Sequence, residues 1–586
     1  MAQPTAEAQQ QEAASQQPMK KPSVDAKAVV AKYNFLVQNR SPRETDWDEA
    51  IRYMMPRRID ATGTTSVSDA TKDIFDDTAI IANNTLAAGL VSTITPATER
   101  WAALESPAAF RDETPDDNAK AVRGEWYQDA TDILSRAIAN SNFHTEIHEL
   151  HLCRNTICTG ALYIGEGEDA PLVFKHVPPK TFTFTEDNEG RITSFYREMA
   201  NMTLEQAVRQ WGEEALPEKL REQFKTGKPG AQQATIRVLH AVEKRMAGSY
   251  NPQKIDAANK PYSSAYIIIG EEHVLDAGGY DDMPYVVGRF LKWGADQWGY
   301  GPGIEALPSV RQLNWIEQHA DVAAEIAVFP RVMAPQGMKG KMDLAAAGIT
   351  YFDPNQPNAR PTIWGNEGRP EYLVDRAEKK REAVRRIFHN DLFQMMGGIE
   401  PGKMTAYETM QRFSEKLDMF SPSFKMVTTE VLAPLVKRCF TILFKQGYFA
   451  PPPPEVFIQT SRGFVMPMPQ VSFVSKMALA IRALENRSWV EFMSVVTPML
   501  QVDPSIADNF DLDRATLGIA RNLAVPTGWT RRPEDRDAMR AARAEQQQQA
   551  QAMAQAQQLA DAAGKLGSAP PALQEAAGSA LAGMAK

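Results

Sequence analysis

Between Tyr372 and Met396, Leu373, Ala377, Val384, Phe388, Leu392 and Met395 recur at three-, four- and seven-residue steps. That spacing puts them on one face of a helix and predicts a helix over 372–396. The other face carries Arg376, Lys379, Lys380, Arg381, Arg385 and Arg386. A second helical pattern runs from Thr405 to Phe444 with almost no breaker residues. Between the two stand Gly397, Gly398, Pro401 and Gly402. The glycines free the backbone and the proline forbids a continuous helix. A charged helix, a break and a second long helix make a mechanical layout, without the convergent polar groups of a catalytic pocket.

The same reading extends along the chain. Val29, Val30, Tyr33, Phe35 and Leu36 begin a helix, and Pro42 opens another through Trp47, Ala50, Ile51 and Tyr53, stopping at Met55-Pro56. Ile74–Leu90 and Ala119–Leu152 also read as helices. After Gly160 the period becomes that of strands: ALYIGEG, then FKHVPPKTFTFTEDNEGRITSFYRE with a turn at Asp187–Gly190. Leu204–Trp211 is a short helix. ATIRVLHAVEKR, SAYIIIGEEHVLDAGGY and PYVVGRFLKW are further strands. Residues 24–300 therefore form one mixed α+β body, in a chain that is predominantly helical. Ile304–Phe329 is a long helix, and 330–371 is dense in Gly, Pro and Asn, a small module of short strands and turns. Pro451–Pro454 make a stop and a stiff spacer. Val471–Leu500 and Ile506–Leu523 read as helical. Beyond Pro533 the chain is rich in Ala and Gln, a helix-prone segment that is either a crown held by copies of itself or a frayed tail.

Composition narrows the function. The chain has 586 residues, 43% of them hydrophobic, enough for several domains. A net charge of −9 argues against a protein that grips nucleic acid and for one that holds it loosely or lets it pass. Cys153, Cys158 and Cys439 make no disulfide framework. The first 23 residues read as a disordered arm, not a signal peptide. No run of about 18 apolar residues marks a membrane span.

Candidate chemistry is sparse. Gly397–Met404 reads GGIEPGKM, one residue short of a nucleotide loop, with Met404 where a magnesium-holding Ser or Thr belongs. His144, His148 and His151 share a helix face, but HTEIH is not HExxH, and a polar helix face is expected there rather than zinc. Cys153 and Cys158 read as buried thiols. GYGPG at 299–303 is a turn before a helix, with the wrong spacing for a dinucleotide fingerprint. Asp73, Asp76 and Asp77 read as a solvated helix face. No nucleophile–base arrangement is visible, so no catalytic residue, metal or cofactor is assigned.

Three stretches together resemble the portal proteins of tailed bacteriophages, and within them the head-to-tail connectors of short-tailed, podovirus-type phages. Residues 403–449 carry Thr405, Ala406, Glu408, Arg412, Glu415, Pro422, Glu430, Leu432, Pro434, Leu435, Arg438 and Gly447 in the family's order. PYVVGRFLKWGADQWGYGPGIEALPSVRQLN at 284–314 matches its Arg-aromatic strand, Tyr-Gly turn and Leu-Asn helix. RETDWDEAIRYMMPRR at 43–58 and LAAGLVSTITPATERWAAL at 86–104 match near the start. The chain departs from the family in the strand after the proline spacer and in its C-terminal tail.

The resemblance implies a non-enzymatic ring of about twelve subunits at one capsid vertex, closed by repeating one contact. It implies a wing at 24–300, stem helices at 301–329 and 372–396, and a clip at 330–371. A tunnel loop follows at 397–404 (Gly397, Gly398, Ile399, Glu400, Pro401, Gly402 and Lys403 among its residues). A wing helix and spacer at 405–469, crown helices at 470–535 and the tail at 536–586 complete the portal fold. Lys379, Lys380, Arg381, Arg385 and Arg386 become candidates for channel or motor contacts, ion pairing with Glu378 and Glu382 being the alternative. Implied partners are further copies of the chain, double-stranded genomic DNA, the large terminase subunit, the major capsid and scaffolding proteins, and a tail adaptor. The implied place is the virion, assembled in the host cytoplasm, with no membrane. The competing readings are a nucleotide-binding packaging component using Gly397–Lys403 and a tail adaptor.

Overall fold

The computed structural model describes residues 24–56, 71–107, 117–251, 254, 256–294, 296–328, 332–339, 342, 351, 361–363, 371–392, 419–460, 463–475, 477–478, 492–494, 496–499, 513, 516, 531 and 533–567. They fall into two compact units. The first draws on the described residues of Met1–Glu105, Asp129–Ala450 and Met468–Asp511; the second draws on those of Ser106–Gln128, Pro451–Pro467 and Leu512–Lys586.

The first unit opens with α1 (Ala26–Met54), α2 (Thr78–Ile94) and strand β1 (Ala102–Glu105). Helix α3 (Asp117–Ala139) is shared between the units, and α4 (Phe143–Thr156) follows it. Strands β2 (Thr159–Gly165), β3 (Val173–Val177), β4 (Phe182–Glu186) and β5 (Ile192–Thr203) come next, then α5 (Leu204–Trp211) and α6 (Glu218–Lys225). Strands β6 (Thr235–Lys244), β7 (Tyr262–Ile268), β8 (His273–Tyr280) and β9 (Tyr285–Arg289) complete the sheets. One antiparallel sheet has the order β4-β5-β6-β7-β8, the other β3-β2-β9. Alternation along the five-stranded sheet sends neighbouring residues to opposite faces. Phe195 and Val242 join a cluster with Trp47, Ile51, Phe182, Phe184, Tyr285 and Trp298, while Tyr196 and Ala241 join one with Val30, Tyr33, Leu239 and Ile267.

Helix α1 serves both clusters, and this explains a departure from the sequence reading. Two helices meeting at Pro42 are expected; one helix with Pro42 inside it is observed. A proline there removes one backbone hydrogen bond. Burial of Tyr33 before it and Trp47 and Ile51 after it offsets that loss, and the buried Arg40 donates to the Phe182 carbonyl at 2.6 Å. The reverse holds at 119–152, where one helix is expected and α3 and α4 are found. The Asn142 amide is committed to the Phe174 backbone at 2.6 and 2.9 Å, which turns the chain between them.

Hairpin β10 (Leu291–Lys292) and β11 (Gly299–Tyr300) leads into α7 (Pro302–Val328). Short strands β12 (Val332–Met333) and β13 (Thr362–Ile363) pair, and α8 (Glu371–Ile387) follows. Residues 419–427 are helical; a π turn at Thr428–Leu432 and α9 (Ala433–Lys445) continue that helix. After the proline spacer, β14 (Ile458–Thr460) and β15 (Gly463–Val465) form a hairpin of the second unit, a strand pair where the sequence reading expects a departure from the family. Strand β16 (Gln470–Phe473) pairs with β1, Ala102 opposite Phe473. That corrects the helix expected from Val471, because the backbone groups of β1 claim the segment from far away in sequence. Helix α10 (Pro533–Gly567) lies in the second unit. No helix among the described residues is long and apolar enough to cross a membrane.

Candidate functional site

Helices α7 and α8 pack along each other, with Leu313 and Ile316 against Ala377 and Leu373. Their directions follow from their ends. Gly303, at the start of α7, lies against the Thr156 backbone, and the Thr156 hydroxyl accepts from Asn83 of α2 at 2.9 Å. Just past α8, the Asn390 amide donates to the Ala82 carbonyl of α2 at 3.0 Å. The start of α7 and the end of α8 thus sit at one place, while the β12–β13 pair joins the chain beyond their other ends. The two helices are antiparallel.

Arg381 clamps this pair. It donates to Asp76 at 2.9 Å, to Glu317 of α7 at 2.8 Å and to Glu378 at 3.4 Å. Asp76 is buried, and its other carboxylate oxygen accepts from the Thr78 amide at 2.8 Å. The Asn314 side chain holds the Phe75 amide at 2.9 Å. Asp76 is therefore an organising carboxylate in the coil before α2, not part of the solvated helix face that its neighbours suggested. Substituting Arg381→Gln leaves it buried without a cation. A loss of about 1.5–3 kcal/mol is expected, read from a urea midpoint at neutral pH.

The ends of the 393–418 segment converge. Phe388, Asn390 and Leu392 are buried at its entry, Phe420 and Ser423 at its exit. Met396, the end expected from periodicity, lies outside the described residues; Asn390–Leu392 are helical again after a break at His389, which takes φ +52°. Its ring meets Phe420 edge-on at 5.4 Å, so entry and exit touch. Phe420 in turn meets Phe290 at 6.3 Å, under the Arg154 guanidinium. Arg154 is fully buried; it donates to the Arg289 carbonyl at 3.0 Å and to the Ser423 carbonyl and hydroxyl at 3.0 and 2.8 Å. Burial lowers its pKa to about 10, with Glu430 pulling the other way, so it stays charged at neutral pH.

About two turns further on, the π turn brings Glu430 onto Arg289. The carboxylate accepts from the Arg289 backbone amide at 2.9 Å and from its guanidinium through both oxygens. Glu186 of β4 binds the same guanidinium at 2.6 Å. Burial disfavours the Arg289 charge, but Glu430 and Glu186 outweigh it and hold the pKa above its ordinary value. The wider helical turn of a π segment re-aims a side chain in this way.

Of the candidate cations, the structure takes Arg381 into the clamp. Arg385 pairs with Glu378 at 3.1 Å, and Lys379 with Asp375 at 2.8 Å. These pairs lie within the subunit, and Glu382 enters none of them. Lys380 is half-buried and Arg386 exposed. Gly397, Gly398, Ile399, Glu400, Pro401, Gly402 and Lys403 lie outside the described residues, so the nucleotide-loop reading gains nothing here. His151 is fully buried rather than part of a polar face, and burial pushes its pKa well below the usual value. Cys153 and Cys158 are buried, the Cys158 thiol pushed up to about 12 by burial. Among the described residues no group of three or more His, Cys, Asp or Glu side chains is placed to hold a metal ion. Sequence reasoning gave Arg154 and Arg289 no role, read Asp76 as solvated and Gly303 only as part of a turn; the one local signal for the charged residues was an Arg or Asp inside an otherwise apolar stretch.

The family model of the bacteriophage head to tail connecting protein matches residues 26–530. The chain is 28% identical over 569 residues to the "Probable portal protein" of Bordetella phage BPP-1, covering 94% of this chain and 97% of that one. It is 24% identical over 509 residues to the "Portal protein" of Salmonella phage epsilon15, covering 84% and 87%. A chain of the virion of the native gene transfer agent particle aligns with a TM-score of 0.32 and 10% identity over 73% of this chain and 89% of its own. With the family model spanning most of its length, the chain belongs to the bacteriophage head to tail connecting protein family.

Proposed function

We propose that this chain is the portal subunit of a tailed phage: a non-enzymatic protein whose copies close a ring at one capsid vertex. Genome DNA enters and leaves through that ring, the packaging motor docks on it, and the tail follows. In this reading α7 and α8 are the stem, 330–371 the clip, 397–404 the tunnel loop, the sheets and α9 the wing, and α10 belongs to a crown. The observation that carries it is the anchored helix pair, from whose root the 393–418 segment departs and to which it returns. A rigid rod with a segment anchored at both ends beside it is what a channel wall with an inward loop requires.

Within α8, Lys379 and Arg386 stand one heptad apart, opposite the face that Ala377 and Val384 bury. They are the candidates for facing DNA, the exposed Lys379–Asp375 pair being weak, whereas Arg381 ties α8 to α7 and to Asp76. An acidic chain with a few such cations suits a bore along which a polyanion slides instead of sticking.

Electron micrographs of the purified protein test the reading. Rings with a central hole are expected; monomers at high concentration, or particles closed along the axis, overturn it. Replacing Lys379 and Arg386 with alanine is expected to leave rings intact and to flatten the salt dependence of DNA association with them. An unchanged salt slope removes both residues from the channel.

A further inference from the structure

The stem helices carry unpaired charges of opposite sign on opposite flanks. Asp321 and Glu325 of α7 and Arg376 of α8 are exposed, and Lys380 of α8 is half-buried. None of the four has an ion-pair partner among the described residues, although Glu317, Asp375, Glu378, Lys379, Arg381 and Arg385 of the same two helices are paired. Asp321, Arg376 and Lys380 nevertheless lie at matching heights, with Glu325 one turn further out. Glu317 meets Arg381 across the antiparallel pair. One turn further along α7 is Asp321, and one turn back along α8 is Ala377, between Arg376 and Lys380.

Rotation about the axes explains why they do not meet. At about 100° per residue, Asp321 and Glu325 are turned roughly a quarter to a third of a turn forward from the Leu313–Ile316–Glu317 contact. Arg376 and Lys380 are turned backward from Leu373, Ala377 and Arg381 by about a quarter-turn or a little less. In an antiparallel pair, rotations of the same sense reach the same side, as the Glu317–Arg381 contact illustrates. Rotations of opposite sense reach opposite sides. One flank of the stem is therefore acidic and the other basic, and the body of the helix pair separates them.

Charges so placed cannot satisfy each other within one subunit, but they complement each other between two. A head-to-tail contact sets one flank of each copy against the opposite flank of the next, and a closed ring uses every such pair. We infer that the Asp321–Glu325 flank of one subunit docks on the Arg376–Lys380 flank of its neighbour, and that this contact sets the register of adjacent stems. The inference rests on the ring reading and adds to it the partner surface and its polarity. It also gives Lys380 a place between subunits instead of on DNA.

Charge reversal tests it in full-length protein, with native mass spectrometry reading the ring fraction. One variant carries Asp321→Lys and Glu325→Lys; the other carries Arg376→Glu and Lys380→Glu. Each alone places like charges at every contact, and the ring fraction is expected to fall by roughly tenfold or more, with the melting curve of the monomer unchanged. An equimolar mixture of the two variants is expected to restore rings in which they alternate. Pairing within a subunit gives no such rescue. Wild-type rings whose formation is indifferent to both reversals, or reversals that no mixing restores, overturn the docking and leave the ring standing. A wild-type chain that never forms rings overturns both.

Discussion

Replacing Arg289 with methionine is expected to cost the folded chain about 3–5 kcal/mol, the range for breaking a buried pair by removing one partner. The side chain keeps only 4% of its surface, and its two carboxylate partners, Glu186 and Glu430, keep 12% and 16%. Without the guanidinium these carboxylates face each other half-desolvated; among the described residues Lys292 still reaches Glu186 at 2.9 Å, while Glu430 keeps only the more distant charge of Arg154. Glu430 bears the larger loss. Since it sits in the π turn that joins 419–427 to α9, the exit of the 393–418 segment loosens with it. Urea unfolding followed by circular dichroism reads the effect. A loss under about 1 kcal/mol, the worth of an exposed pair, would contradict the assignment.

Gly303→Ala is expected to destabilise the chain, against its helix propensity. Gly303 lies in the first turn of α7, and alanine is favoured over glycine inside a helix by roughly 0.8–1 kcal/mol. Packing decides otherwise. A Cβ at this position would lie 2.6 Å from both the carbonyl carbon and the Cα of Thr156, and closer still to the carbonyl oxygen. Those are backbone atoms of a residue with no exposed surface, so the start of α7 has to move away from α4. Overpacking of this kind costs about 1–3 kcal/mol, and more where backbone must shift. The displacement also tilts the α7–α8 pair, so on the proposed portal reading assembled rings should fall with stability. Gly230→Ala, with nothing within 4 Å of its would-be Cβ, is the control and should be near neutral. A melting temperature for Gly303→Ala equal to or above that of the parent chain would sink the argument.

Legibility followed how local each signal is. Leu204–Trp211 was readable to the residue, because Thr203 and Gln206 cap the helix with each other's backbone amides. Ile304–Phe329 came within two residues of α7, and the strand run after Gly160 matched β2 to β9 in order. The face of α8 was legible too: Ala377, Val384, Phe388 and Leu392 are all buried. Pro42 misled because the cost of a proline in a helix is fixed, while the burial that offsets it comes from Tyr33 and Trp47, which meet different clusters. Val471 misled because its strand partner, Leu104, is supplied by a distant part of the chain. Among the site residues, the positions of Lys379 and Arg386 on the outer face of α8 followed from periodicity. The commitment of Arg381 to Asp76 did not.

By itself, the sequence determined most of the described helices and strands, the face that Ala377 and Val384 bury, the acidic balance of the chain and the kinship of its order of motifs. These depend on residues a few positions apart, where period and capping act directly. Only the tertiary structure decided that Arg154, Arg289 and Arg381 are structural cations, that both ends of the 393–418 segment meet at His389 and Phe420, and on which sides of the α7–α8 pair the unpaired charges stand. A charge becomes a clamp, a channel contact or a docking surface according to which distant groups share its low-dielectric surroundings. That is settled when the chain folds back on itself, and no local pattern encodes it.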